Sequence, residues 1–147
     1  MITADPALVI TTALSWLGTP YHDQASLRGV GCDCLGLARG IWREMVGNEP
    51  FPIPPYSRDW GETGPREVLA EGARQMMPEI MPTEVGPGTL ILFRMAPRAI
   101  AKHVGILTTQ NQFIHAYERL GVVEETLTTA WRRRIAFAFL FPHPSSI

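Results

Sequence analysis

The sequence predicts an α+β domain, in which N-terminal helices pack on an antiparallel β-sheet of about five strands. Three observations predict it. Two apolar patterns at helical spacing come first, each with its own start and stop signals. From Thr89 onward the chain breaks into short apolar runs separated by turn residues. No repeat, low-complexity tract or linker divides the two parts, so residues 1–147 read as a single domain with enough chain to bury a core.

The first helix opens at Asp5-Pro6, with Asp as N-cap and Pro at the first helical position. Val9, Ala13, Trp16 and Leu17 repeat at helical spacing, and Gly18 followed by Thr19-Pro20 stops the pattern. Residues 19–31 read as a loop carrying Tyr21, His22 and Gln24. The second helix starts near Cys34 and runs to about Val46, ended by Gly47-Asn48. Leu37, Ala38, Ile41, Trp42 and Met45 form its apolar face.

Residues 49–63 hold Pro50, Pro52, Pro54 and Pro55 with Tyr56 and Trp60, a pattern neither of a helix nor of a central strand. Pro65 opens a weaker third helix through about Met77. Strands are then predicted over Thr89–Arg94, His103–Thr109, Gln112–Tyr117, Val122–Leu127 and Ile135–Phe141. The last is nearly continuous in apolar character and is expected to be central. Arg132-Arg133-Arg134 reads as a solvated turn before it.

A net charge of -1 supplies no general field for nucleic acid, and no apolar stretch suffices to insert in a membrane. The N-terminus has no basic region followed by an apolar run, so synthesis in the cytoplasm without a signal peptide is expected. Two cysteines one residue apart do not make a disulfide framework, and a Cys32–Cys34 bridge would be strained.

Cys34 falls in the first turn of its helix, where unpaired backbone N–H groups and the helix dipole favour thiolate over thiol. Cys32 lacks that placement and reads as structural. His103 begins a strand after the segment 96–102, and His115 follows twelve residues later across a hairpin. The two can share one face of neighbouring strands, one imidazole orienting the other. Gly105 would let a backbone or a substrate come near. A cysteine, a histidine and a second polar orienter, in that chain order, are the parts of a cysteine hydrolase. Zinc is the main rival, since Cys32, Cys34, His103 and His115 nominally supply two sulfurs and two nitrogens. The spacing of zinc ligands is absent, so neither a metal nor another cofactor is expected. His22 is ambiguous, and His143, between two prolines, is expected to be exposed.

These motifs resemble the NlpC-type cell-wall peptidases of the papain-like superfamily. The resemblance rests on Gly18-Thr19-Pro20-Tyr21, Asp33-Cys34-Leu35-Gly36-Leu37, Gly88–Phe93, His103-Val104-Gly105-Ile106 and Phe113-Ile114-His115-Ala116. The segment Tyr21–Glu44 is most similar to the branch found in phage tails and gene transfer agents. The resemblance implies a papain-like fold with Cys34 as nucleophile, His103 as general base and then acid, and His115 as orienter. Tyr21 would help line the site, and Asp33 could serve as the carboxylate partner of the substrate's free amine. The implied substrate is a peptidoglycan stem peptide, cut between D-glutamate and a diamino acid. The implied partners are phage-like tail or baseplate proteins that carry the enzyme to the cell wall. The alternative is a non-catalytic tail-tip adaptor that retains the peptidase frame, with segment 50–65 as its assembly surface. Two positions depart from the family pattern: Leu35 stands where a serine is usual, and Thr89 where an aspartate is usual.

Overall fold

A computed structural model describes residues 2–50 and 66–146. Residues 51–65, with most of the proline-rich stretch, Tyr56, Trp60 and Pro65, lie outside the described residues. Helix α1 spans Pro6–Leu14, and the Asp5 side chain caps it by accepting from the Ala7 N–H. The helical spacing outlasts the helix. Trp16 is still buried, but Leu17 is 43% exposed and Gly18 turns the chain at φ +84°. A two-stranded ribbon follows, β1 (Ser26–Leu27) against β2 (Gly31–Cys32), where the sequence had read only a loop. Helix α2 runs over Cys34–Met45 and buries Leu37, Ile41, Trp42 and Met45. Helix α3 is confined to Val68–Arg74.

The main sheet has six strands, all antiparallel, in the order β3-β8-β4-β5-β6-β7. Their ranges are Glu79–Ile80 (β3), Leu90–Phe93 (β4), His103–Thr109 (β5), Gln112–Tyr117 (β6), Gly121–Thr126 (β7) and Ile135–Phe139 (β8). The sixth strand is β3, two residues that pair with Phe139 and Ala138 at one end of β8. So short a segment carries no periodicity to detect. Strand β8 is interior, between β3 and β4, although its first three residues are only half-buried. Between β7 and β8 lies helix α4, Thr129–Arg133, capped by the Thr128 hydroxyl. It replaces the solvated turn expected there. Arg132 is tied down by bonds from Nη2 to the Gln110 carbonyl and to Asn111 Oδ1, both 2.8 Å.

Pleating sorts the side chains into two cores. Leu90, Leu92, Val104, Ile106, Ile114 and Ala116 join α1 and α2 on one face. Ile91, Phe93, Leu107, Phe113, Ala138 and Trp131 of α4 form a second cluster on the other. Gly40 lets the two helices meet, because a Cβ there would lie 2.1 Å from the Trp16 ring. No helix among the described residues is long and apolar enough to cross a membrane.

Candidate active site

Cys34 occupies the first position of α2, with Asp33 as N-cap. One Asp33 oxygen accepts from the Gly36 N–H and the other from the Gln24 N–H, each at 2.7 Å. The aspartate thus starts the helix and holds the preceding loop in one step. The half-buried Cys34 thiol donates to the Lys102 carbonyl at 3.5 Å. The backbone N–H of Val104 also meets the sulfur. The thiol therefore lies against β5 at the two residues that bracket His103.

The helix N-terminus does not make this thiol acidic, which corrects the expectation from sequence. Burial pushes the Cys34 thiol up to about 11, and the Asp33 carboxylate adds to the rise. The N–H groups of Val104, Leu35 and Cys34 pull the other way without overcoming it. The resting form is the neutral thiol. Cys32 is fully buried in the first core and is pushed up to about 12, chiefly by burial.

His103 and His115 are brought together. Nε2 of His103 and Nδ1 of His115 are 2.7 Å apart. Their rings are nearly perpendicular, at 84°. Burial holds His103 down to about 3, with the neighbouring His115 second. His115 has no exposed surface, and burial lowers it too, opposed by the Glu125 carboxylate. Glu125 Oε2 is bonded to Nε2 of His115. Trp131 stacks beside His103 at 5.8 Å between ring centroids, and Tyr117 closes another side at 5.9 Å.

Strand register accounts for this cluster. His115 pairs with Val123 across β6 and β7, so Glu125 is its diagonal neighbour on the same face. Gly105 serves a different purpose from the one expected. A Cβ there would come within 2.9 Å of Phe93 and 3.0 Å of Phe113, so its missing side chain makes room for the aromatic floor beneath the histidines.

Asp33 is only 4% exposed, and both its oxygens already accept backbone N–H groups. Its first duty is structural. Tyr21 is half-buried beside the first core and bridges to Cys32 through its backbone. His22 and His143 are exposed, with local partners at the Asp23 carbonyl and the Ser145 hydroxyl. Thr89 is buried, and its hydroxyl accepts from the Gly86 N–H, closing the turn that leads into β4. A threonine can close a turn much as an aspartate does. Among the described residues no group of three His, Cys, Asp or Glu side chains is disposed to hold a metal ion.

Sequence reasoning missed Glu125, Trp131 and Glu67. Glu125 was open to detection by counting register across the β6–β7 turn. Glu67 was not. Its carboxylate takes Arg94 Nη1 on one oxygen and the Ala101 N–H, at 2.8 Å, on the other. It thereby clamps the segment that delivers His103 from a helix far away in sequence.

Comparison with known proteins agrees with this architecture. Residues 18–138 match the model of the NlpC/P60 family. The probable endopeptidase NlpC of Escherichia coli (strain K12) is 30% identical over 117 residues, covering 80% of this chain and 65% of that protein. The murein DD-endopeptidase MepS/murein LD-carboxypeptidase of the same strain is 28% identical over 120 residues, covering 81% of this chain and 54% of that protein. The chain thus spans less than two thirds of the length of either relative. Among solved structures, the NlpC/p60 domain of the peptidoglycan hydrolase SagA superposes with a TM-score of 0.64 at 23% identity, covering 92% of this chain and 98% of that one. An NlpC/P60 family protein from Bacillus cereus ATCC 10987 gives 0.64 at 21% identity, covering 92% and 40%. The solved structures share the helices-on-antiparallel-sheet fold, and the family match takes in Cys34, His103 and His115: this chain belongs to the NlpC/P60 family.

Proposed function

We propose that this chain is a cysteine peptidase that hydrolyses peptidoglycan stem peptides, at a bond between D-glutamate and a diamino acid. The observation that carries the reading is the thiol at the start of α2, lying against the strand end that presents a histidine pair. The relatives support it, being a probable endopeptidase, a murein endopeptidase and a peptidoglycan hydrolase by name.

Both partners rest neutral, so the proton moves as the bond forms. Cys34 gives its proton to His103 while the sulfur attacks the amide carbonyl carbon. The carbonyl oxygen takes the negative charge and meets the first-turn N–H groups of α2, a contribution of roughly 3–4 kcal/mol per well-placed donor. His103 then protonates the leaving amine as the C–N bond breaks, leaving a thioester. Water, deprotonated by His103, cleaves the thioester and restores the thiol. Asp33 adjoins the nucleophile in the chain and Tyr21 bridges to Cys32 beside it, where the free amine of a stem peptide would be read.

We place the enzyme in a phage-like tail acting on the cell wall. That placement rests on the similarity of the segment Tyr21–Glu44 to the branch found in phage tails and gene transfer agents. One observation favours the adaptor alternative, namely the rise of the Cys34 thiol to about 11.

Purified peptidoglycan decides between them. The wild-type protein releases cleaved stem peptides, identified by mass spectrometry, while folded Cys34→Ala and His103→Ala proteins do not. Equal release by Cys34→Ala, or none by the wild type, overturns the peptidase reading.

A further inference from the structure

We propose that Glu125 is a positioning residue of the active site, which sets the proton arrangement of both histidines so that His103 presents a bare Nδ1 as its basic nitrogen. The inference deepens the peptidase reading and rests on it for its catalytic meaning.

The argument follows the hydrogen-bond chain. A carboxylate can only accept, so the nitrogen of His115 facing Glu125, Nε2, must carry a hydrogen. Burial keeps His115 neutral, and a neutral imidazole has one N–H. Its Nδ1 is then an acceptor, and the group 2.7 Å away, Nε2 of His103, must be the donor. His103 is held neutral as well, so its single hydrogen is spent on this bond. Only Nδ1 of His103 is left with a free lone pair. One carboxylate, two side chains away, thus decides which nitrogen can take the thiol proton.

Without Glu125 the arrangement loses its direction. His115 could donate from Nδ1, and His103 would then accept at Nε2 and hold its hydrogen at Nδ1. In that form His103 cannot act as base through Nδ1. The carboxylate does more than fix direction, because its charge steadies positive charge on the imidazole pair when His103 is protonated. The Glu125 side chain is 36% exposed and stands at the edge of the second core, so its substitution need not disturb packing.

Nitrogen-15 NMR of the wild-type protein with labelled histidine tests the arrangement directly. Expected are a protonated Nε2 and a bare Nδ1 for His115, and the same for His103. A hydrogen on Nδ1 of either ring at neutral pH overturns the proposal, whatever the enzyme cleaves. Kinetics on stem peptide test its catalytic weight. Glu125→Gln, whose amide can donate as well as accept, lowers kcat about tenfold or more with KM within twofold, on the scale of acid–base effects. Glu125→Asp, which keeps the acceptor-only carboxylate, recovers part of that loss. A folded Glu125→Gln protein with wild-type kcat overturns the proposal, as does an equal kcat for Gln and Asp. A wild type inert on every stem peptide would instead end the peptidase reading, and the NMR result would still decide the role of Glu125.

Discussion

A Cβ added at Gly36 would stand 1.8 Å from the carbonyl oxygen of Ala25. The loop before Cys34 is laid directly on the first turn of α2. It is fastened there by Asp33 to Gln24 and by the Ser26 hydroxyl to the Gly36 carbonyl at 2.6 Å. Gly36→Ala therefore cannot be absorbed by a rotamer change. It should cost at least the ~1–3 kcal/mol of an overpacked site. Urea unfolding measures the loss, and an unchanged midpoint would show that the loop yields freely.

Glu67 holds the other side of the site. Replacing it with Ala strands the Ala101 N–H, on a residue with no exposed surface, and frees Arg94 from one partner. An unsatisfied buried donor costs roughly 1–3 kcal/mol. Because Ala101 precedes the carbonyl that receives the Cys34 thiol, Glu67→Ala should also lower kcat. Thermal unfolding and turnover check the two effects separately. Wild-type values for both would rule out the clamp.

The thiol's rise to about 11 makes its alkylation a sensitive readout. Iodoacetamide reacts with thiolate, so the rate at Cys34 should still be climbing between pH 8 and pH 10. A rate already level by pH 7 would mean that a thiolate–imidazolium pair preexists. Cys32, sealed in the first core, should label only on unfolding.

Acid should weaken the fold through the histidines. His103 sits at about 3 when folded against an ordinary 6.5. Its contribution to stability is therefore complete above pH 6.5 and is lost as pH falls toward 3, because the unfolded chain takes up the proton first. Cys34 works in the opposite range, with its contribution present below pH 9 and lost as pH rises toward 11. Urea midpoints across these windows should fall at both ends. The acid slope should flatten when His103 and His115 are both replaced by Asn.

Much of this was legible in the residues. Asp5-Pro6 marked the start of α1, and Cys34 the start of α2. Strand β5 spans the predicted His103–Thr109, and β6 the predicted Gln112–Tyr117, because short apolar runs bounded by turn residues leave a strong signal. The histidine pairing followed from adjacency of those two strands. What was hidden depended on partners far away in sequence. Strands β1, β2 and β3 have two residues each and exist only through what they pair with. Helix α4 has five residues, too few for an amphipathic repeat, and its charged end masked it. The acidity of Cys34 was misjudged because a helix terminus is visible in a sequence and desolvation is not.

Strand β5 is a single layer of backbone, and it separates two independent supports. Val104 is gripped from the α2 side, while His103 is seated among rings on the reverse. Cys34 and His103 come to the same end of β5, where the thiol reaches the Lys102 carbonyl, while the packing that supports each lies on its own side of the strand. Changes that reshape the helical wall, including the loop laid on the start of α2, can accumulate without retuning the imidazoles. The surface over α2 can drift in such a chain while the cluster of rings stays fixed.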